Sequence, residues 1–310
     1  MFHAMFTPKH PHIFQVISCL FLVYLSWGSC FISNRFALES FHAFMLCGLR
    51  MTLAGVLLYG LTWLRGERVT PSRRDLKQSS ILAFSMVFIA SGFLSKGQES
   101  VSSGTAAMIL GAVPVWMVLG GWLFCGDPKP SKAQFAGLGC GFSGLLLLSV
   151  HQGISGDDSA FGILLIFCAA LGWVLGSFQS KKFGAGSKLS VMRASALLMT
   201  VGGLQSLLWA FLSGEFNGFS LAGVSPTSWA ALAYLIVFGA IIGYTCYFWL
   251  LTHTRTVVAI SYEFVNPVIG VFLGWLLAGE RVDGIIILAC CMTVTSVFFI
   301  VSQQKPRAER

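Results

Sequence analysis

Charged residues are scarce in this sequence. Asp, Glu, Lys and Arg make up 10% of its 310 residues, whereas a typical soluble domain contains about 25%. So few charges cannot cover a water-facing surface, which excludes an ordinary soluble globular protein. Short strands of alternating hydrophobicity are lacking as well, which argues against a membrane β-barrel.

Sequence motifs for catalysis and nucleotide binding are also lacking. The chain has no GxSxG, HExxH or Walker A pattern, so we predict that it is not an enzyme, that it needs no cofactor, and that ATP does not drive it directly. Its nine cysteines form no CxxC pair and lie in or at the end of apolar runs, where they act as small hydrophobes. No metal site is predicted.

Long apolar runs dominate what is present. Apolar residues make up 55% of the chain, and they occur in runs of the roughly 20 residues that a helix needs to cross a bilayer. The runs predict an all-α membrane protein with ten transmembrane helices. The predicted helices cover residues 13–33, 42–64, 76–95, 104–124, 132–150, 160–180, 189–212, 227–251, 256–277 and 283–302.

The loops between these helices carry an uneven distribution of Lys and Arg. Fifteen lie on the side of the termini, three lie on the opposite side, and Arg50 and Arg193 fall within helices. Because positive loops stay in the cytoplasm, both termini are predicted to be cytoplasmic. The net charge of +8 is therefore an orientation signal, and no nucleic-acid partner is expected. The three opposite residues are Arg35, Lys96 and Arg281.

The chain contains an internal repeat. Residues 114–127 and 267–280 align without a gap at an offset of 153 and share seven of fourteen residues. A weaker match relates Trp27 to Trp173. We predict two five-helix halves, residues 13–150 and 160–302, with tails 1–12 and 303–310. Because five is odd, the second half is inverted relative to the first, which is a common plan of secondary transporters.

Two prolines within predicted helices occupy equivalent positions of the repeat. Pro114 and Pro267 each remove a backbone hydrogen bond, so they are candidate helix-break or gating residues that line a cavity. The alternative is that both only bend their helices.

Glu263 is a rare charge within a membrane segment and lies close to Asn266. A carboxylate at the centre of a membrane costs about 2.5–3.5 kcal/mol, so we predict that Glu263 binds a cationic group of the substrate or carries a coupling proton. The alternatives are an ion pair with Arg50 or Arg193, or a shallow position that reaches water. Arg50 is predicted to meet an anionic group, to pair with Glu263, or to extend towards water.

Aromatic residues supply the remaining candidates. We predict that five of them, together with Asn266, line the substrate cavity, although aromatic residues also form belts at membrane surfaces. Lys96, Gln98 and Glu99 form either an outer vestibule or only a solvated helix end. The pair Gly239-x-x-x-Gly243 suits close helix packing. The five aromatic candidates are Trp27, Trp173, Tyr244, Tyr247 and Tyr262.

These residues resemble a known family. The matching segments are 27–29, 49–50, 103–107, 114–115, 262, 266–268, 273–274 and 279–280. Over about residues 14–302 the chain is similar to the drug/metabolite transporter superfamily, in particular to its EamA family of bacterial ten-helix exporters. Glu263 departs from that pattern, since an uncharged residue is more usual there.

The resemblance implies two EamA domains, a location in the bacterial inner membrane, and a central cavity. It also implies export of amino acids or related small metabolites, often with efflux of toxic compounds. We therefore expect a secondary transporter that works by alternating access, with a small-molecule substrate and the lipid bilayer as its partners. The alternative is a flippase of lipids or amphiphiles on the same scaffold.

Overall fold

The computed structural model describes residues 13–101, 106, 109–124, 126, 129–152, 159–183, 187–278 and 282–302, and this part of the chain is helical without a strand. Its main helices are α1 (Ile13–Leu38), α2 (Ala43–Leu64), α3 (Arg73–Gly97), α4 (Val113–Phe124), α5 (Lys132–Gln152), α6 (Ala160–Phe183), α7 (Val191–Leu212), α8 (Pro226–His253), α9 (Tyr262–Ala278) and α10 (Gly284–Ser302). The predicted tails, the link 153–158, Asp127 and Glu280 lie outside the described residues.

The outer surface of the helices is apolar. Phe14, Phe161 and Phe211 are 66%, 67% and 70% exposed, which water would disfavour and lipid favours. Six helices are long and apolar enough to cross a membrane, namely α1, α2, α3, α6, α7 and α8, while α4, α5, α9 and α10 include shorter apolar helices. The chain is therefore a multi-pass membrane protein. The count of ten spans and the cytoplasmic termini stay predictions.

Helices α2 and α7 pack against each other in a reciprocal way. A Cβ atom on Gly55 would overlap Thr200, and a Cβ atom on Gly203 would overlap Thr52. Gly55 corresponds to Gly203 and Thr52 corresponds to Thr200 at the same offset of 148 residues. The two antiparallel helices therefore pack through equivalent glycine and threonine residues. Glycine at both positions allows the backbones to approach closely.

The ends of α2 and α7 repeat this reciprocity. Each helix is followed by Gly-Glu, with the glycine at positive φ: 89° at Gly66 and 79° at Gly214. The Glu215 carboxylate accepts hydrogen bonds from the N–H groups of Phe44 (3.4 Å) and Met45 (2.8 Å) in the first turn of α2. At the other end, the Glu67 carboxylate accepts one from Ser190 Oγ at 2.7 Å. Each carboxylate thus ties the end of one helix to the start of the other.

Two further helices share an irregular feature. Helix α3 is π-helical over Phe84–Phe93, and α8 is π-helical over Leu235–Ile242. Such widened turns occur frequently at functional sites. α3 packs against α6, and α8 packs against α1. In both pairs the third helix of one predicted half contacts the first helix of the other half. The sequence analysis did not anticipate these π segments.

Helix α9 differs from the prediction of one helix over 256–277. A short helix, Thr256–Ala259, ends before Ile260 and Ser261, and α9 begins at Tyr262. The interruption therefore precedes Pro267, which lies inside α9. Pro114 is the second residue of α4, directly after a turn at Ala112 that separates α4 from the helical residues 109–111. The Ser261 hydroxyl donates to the carbonyl of Val258 at 2.7 Å, which satisfies one backbone group at the interruption.

Candidate functional site

Trp27 lies at the centre of an aromatic cluster. Its ring centroid is 4.5 Å from Tyr262, 5.3 Å from Trp173, 5.3 Å from Tyr247 and 5.7 Å from Tyr244. The cluster joins α1, α6, α8 and α9. The structure thus brings together all five aromatic candidates of the sequence analysis, although this does not by itself make them substrate ligands.

Two glycines of α8 hold Trp27 in place. The indole Nε1 donates a hydrogen bond to the carbonyl of Gly239 at 2.9 Å, within the π-helical segment. A Cβ atom on Gly243 would overlap the same indole nitrogen. Any larger residue at position 243 would therefore push the tryptophan away. The sequence predicted close helix packing at Gly239 and Gly243. The residue that packs against both glycines is Trp27, the central ring of the cluster.

A cavity of about 150 Å³ lies beside the cluster. Its lining residues come from seven helices of the described chain, namely α1, α2, α3, α4, α6, α8 and α9, and from residues 98 and 110. Seven of the predicted site residues line it: Trp27, Arg50, Trp173, Tyr244, Tyr262, Glu263 and Asn266. The remaining aromatic candidate, Tyr247, is fully buried within the cluster and is not among the lining residues.

Arg50 and Glu263 bring opposite charges to this cavity. Within the part of the chain that the structure describes, neither forms an ion pair with the other, and Arg50 Nε is buried without a hydrogen-bond partner. Asn266 Oδ1 is likewise buried and unpaired among those residues. Buried polar atoms are normally satisfied, so a cavity with such atoms is suited to a polar ligand.

Arg193 is engaged elsewhere. It is 1% exposed, its guanidinium lies 4.5 Å from the ring centroid of Tyr59, and its Nη1 donates to the carbonyl of Val69. The ion pair with Glu263 that the sequence left open does not form in this structure. Arg193 instead stabilises the region where α2 ends and α7 begins.

The two candidate prolines lie next to the cavity without lining it. Pro114 directly follows Val113, and Pro267 directly follows Asn266; both preceding residues line the cavity. Each proline thus fixes the backbone beside a lining residue. Their predicted role in gating stays a prediction.

Sequence reasoning missed Ser91 and Ser95, which form a polar stripe at the end of α3 together with Gln98, a residue of the predicted outer vestibule. Ser91, Ser95 and Gln98 line the cavity, and the Ser91 and Tyr244 hydroxyls are hydrogen-bonded at 3.0 Å. Their spacing of four and three residues places them on one face of a helix. A row of polar residues within an apolar span is the sequence signal by which this stripe could have been found. The neighbouring Lys96 and Glu99 form an exposed ion pair at 2.6 Å. The α3 end is thus partly cavity and partly solvated surface.

Hydroxyl pairs bound the cavity on its other side. Tyr24 and Ser261 are hydrogen-bonded at 2.6 Å, and Ser177 and Tyr247 at 2.8 Å. Tyr24 precedes Trp27 on α1, whereas the lining residue Asn34 follows it. The cavity therefore extends towards the carboxyl ends of α1 and α3, and these pairs close the opposite direction.

Comparisons with known proteins point to one family. The model of the EamA-like transporter family matches residues 15–150 and 160–302. The uncharacterized inner membrane transporter YedA of Escherichia coli K12 is 29% identical over 295 residues, 94% of this chain and 92% of its own. The S-adenosylmethionine/S-adenosylhomocysteine transporter of Chlamydia trachomatis is 26% identical over 276 residues, 84% of this chain and 82% of its own.

A solved structure shares the fold. This crystal structure superposes with a TM-score of 0.75 at 16% sequence identity, covering 93% of this chain and 97% of the other. At that identity the likeness concerns the fold alone.

Proposed function

Since the chain belongs to the EamA-like transporter family, we propose that it is a secondary transporter that exports amino acids or related small metabolites by alternating access. Relatives named as inner membrane transporters and the apolar outer surface make it a multi-pass protein of the bacterial inner membrane. Its substrates are small molecules. Export, the amino-acid class and the mechanism are the parts that we propose.

The charged cavity carries this proposal. Arg50 and Glu263 line one space inside a membrane protein without pairing, and each such charge costs several kcal/mol in a bilayer. Charged residues that face a membrane cavity mark substrate or ion pathways. The unpaired Arg50 Nε and Asn266 Oδ1 supply the donor and the acceptor that a polar metabolite requires.

The packing supports two inverted halves. The Gly55 and Gly203 contacts repeat at an offset of 148, and so do the carboxylates Glu67 and Glu215 at the helix ends. Both proposed halves also contain a π-helical segment in their third helix. In our proposal residues 13–150 and 160–302 are the halves, there are ten spans, and both termini are cytoplasmic.

An outward-facing state follows from this orientation. The lining residues Asn34 and Gln98 lie near the carboxyl ends of α1 and α3, which the Lys and Arg distribution assigns to the external side. The hydroxyl pairs Tyr24–Ser261 and Ser177–Tyr247 lie on the cytoplasmic side of the aromatic cluster. We propose that these pairs separate when the transporter opens inward.

Reconstitution tests the proposal. Purified protein in proteoliposomes should accumulate at least one labelled amino acid or amino-acid derivative in a counterflow assay, and empty vesicles should not. In cells, overexpression should raise the extracellular level of that compound or the tolerance to it. Export is refuted if overexpression changes neither and counterflow is absent for every compound.

One observation favours the flippase alternative. A second, apolar groove lies between α9 and α10 and includes Val271, Phe272 and Ile287. This groove suits a lipid tail, although none of the described residues of its lining carries a charge to accompany a head group. Scrambling of labelled phospholipids in the same proteoliposomes, without amino-acid counterflow, would establish the flippase instead.

A further inference from the structure

We infer that the substrate of this cavity is a small zwitterion whose positive group is a methylated ammonium, as in a betaine, and whose negative group is a carboxylate. This inference rests on the proposed transport function and adds the chemical class of the substrate. It depends on three features of the cavity: one cation, one anion, and aromatic rings beside the anion.

The cavity lining contains one charge of each sign. Among the residues that the structure describes, Arg50 and Glu263 are the charged side chains of the lining. A ligand with one charge would match one of them and leave the other desolvated and uncompensated, which is unfavourable. A zwitterion compensates both, because its two charges are opposite to theirs.

Arg50 is the binding group for the carboxylate. Its Nε is buried and has no hydrogen-bond partner within the described residues, so a donor is available. The planar guanidinium matches a carboxylate with two parallel hydrogen bonds. The uncharged Ser95 and Gln98 line the same cavity and carry further donors, whereas Arg50 is the cation among the described lining residues and attracts the carboxylate.

Glu263 lies in an aromatic environment. It directly follows Tyr262, whose ring is 4.5 Å from Trp27, and Trp173 and Tyr244 line the cavity as well. A methylated ammonium spreads its charge over methyl groups, which the faces of aromatic rings attract. A primary ammonium also interacts with ring faces, but it presents three N–H donors, each of which requires a hydrogen-bond acceptor to replace water.

Asn266 and the size of the cavity agree with this assignment. The polarised C–H bonds of N-methyl groups donate weak hydrogen bonds, and Asn266 Oδ1, in a side chain 4% exposed, is an unpaired acceptor. The cavity volume of about 150 Å³ is of the order that accommodates a compact molecule such as benzene. Glycine betaine is a compact molecule of this kind.

A series of ligands with increasing methylation tests the inference. The affinities of glycine, N,N-dimethylglycine and glycine betaine are measured by titration calorimetry on the full-length protein in nanodiscs. We expect the affinity to rise along the series and to be at least tenfold higher for glycine betaine than for glycine. The matched control is 3,3-dimethylbutanoate, which keeps the shape but replaces the charged nitrogen with carbon; it should bind at least tenfold more weakly than glycine betaine.

Two variants connect the result to the cavity. Glu263→Gln should abolish the preference for glycine betaine over 3,3-dimethylbutanoate, because it removes the negative charge and keeps the shape. Asp283→Asn changes an exposed residue that is hydrogen-bonded to His151 and is not among the lining residues of the cavity, so it should keep the wild-type affinities. Size-exclusion profiles of both variants establish that they are folded.

The outcomes separate the inference from the proposed function. Glycine binding as tightly as glycine betaine overturns the inference, and so does equal binding of 3,3-dimethylbutanoate and glycine betaine. If amino acids are carried and glycine betaine is not, the inference fails while the proposed function stands. If no amino acid or related small metabolite is carried at all, both fail.

Discussion

The two proposed halves of the molecule share a scaffold and differ in what they contribute to the cavity. At an offset of 153, Leu110 and Val113 of the first half correspond to Glu263 and Asn266 of the second, and all four line the cavity. At an offset of 148, Arg50 of the first half corresponds to Leu198 of the second. The first half therefore supplies the cation and the second half the anion.

What the halves keep in common is structural. The glycine contacts of α2 and α7, the Gly-Glu helix ends and the π segments occur in both. Trp27 and Trp173 also correspond, and they meet at 5.3 Å beside the cavity. The comparison indicates that symmetry maintains the packing, while the loss of symmetry at a few lining positions gives the cavity its polarity.

The largest expected effect comes from removing the anion of the second half. Glu263→Gln should abolish counterflow of the substrate, because the cationic group then loses its charged partner in a desolvated site. Asp283→Asn is the matched control and should transport normally. Unchanged uptake in folded Glu263→Gln protein would remove Glu263 from the mechanism.

Replacing Arg50 with leucine, the residue at the corresponding position of the second half, should have the next largest effect. Arg50→Leu makes the two halves alike at this position and removes a charged hydrogen bond of about 2 kcal/mol, which corresponds to roughly thirtyfold weaker binding. Arg50→Lys keeps the charge but loses the planar fork and should lie between Arg50→Leu and the wild type. Equal affinities of all three proteins in calorimetry would contradict the assignment of Arg50.

Moving the shared tryptophan should weaken binding without removing a charge. Gly243→Ala places a methyl group against the Trp27 indole, so we expect the ring to shift and substrate affinity to fall about tenfold, or ~1.4 kcal/mol. Gly270→Ala is the control, since no atom lies within 4 Å of its added Cβ. Tryptophan fluorescence should change only in Gly243→Ala; an unchanged spectrum and affinity would argue against this contact.

The two helix-end carboxylates, Glu67 and Glu215, allow the stability of equivalent helix ends in the two proposed halves to be compared. Glu215 accepts from two backbone N–H groups, whereas Glu67 accepts from one hydroxyl. Glu215→Ala should therefore cost about 1 kcal/mol of stability, as the loss of a helix cap does, and Glu67→Ala should cost less. Thermal unfolding in detergent measures both, and the reverse order would show that the ends are not governed by these contacts.

The smallest effect is a pH dependence at one end of α10. The hydrogen bond from the backbone N–H of Ile286 lowers the pKa of Asp283, desolvation raises it, and His151 lowers it. The net result is a pKa below the usual value of an aspartate. A lowered pKa means that the stabilisation is complete above the pKa of an unfolded aspartate and is lost as the pH falls through the lowered value. Wild type and Asp283→Asn should therefore converge in melting temperature under acid conditions, and a gap that stays constant with pH would contradict this.

The sequence was most informative where composition and periodicity determine structure. Apolar runs located the described helices to within a few residues, except for the interruption before Tyr262. The start of the predicted helix 104–124 lies partly outside the described residues, and residues 106 and 109–111 are helical. Aromatic, charged and amide residues within those runs supplied seven residues of the cavity lining, because a polar side chain in a membrane segment is costly and therefore conspicuous.

Other features depend on contacts that one sequence does not reveal. Whether Arg50 pairs with Glu263 depends on helix rotation, and the π segments depend on how α3 and α8 pack. The match of residues 49–55 with 197–203 is short and apolar, so it became evident only when Gly55 and Gly203 were found in reciprocal contacts.

The most direct test of the account crosses two variants with three ligands. Competition binding is measured for the carried zwitterion, its decarboxylated cation and its deaminated anion on wild type, Arg50→Leu and Glu263→Gln. If Arg50 binds the carboxylate and Glu263 binds the cationic group, Arg50→Leu should lose affinity for the zwitterion and the anion but bind the cation as before. Glu263→Gln should lose affinity for the zwitterion and the cation but bind the anion as before. If both variants weaken all three ligands equally, or neither weakens any, the two charges do not divide the substrate between them and the account is wrong.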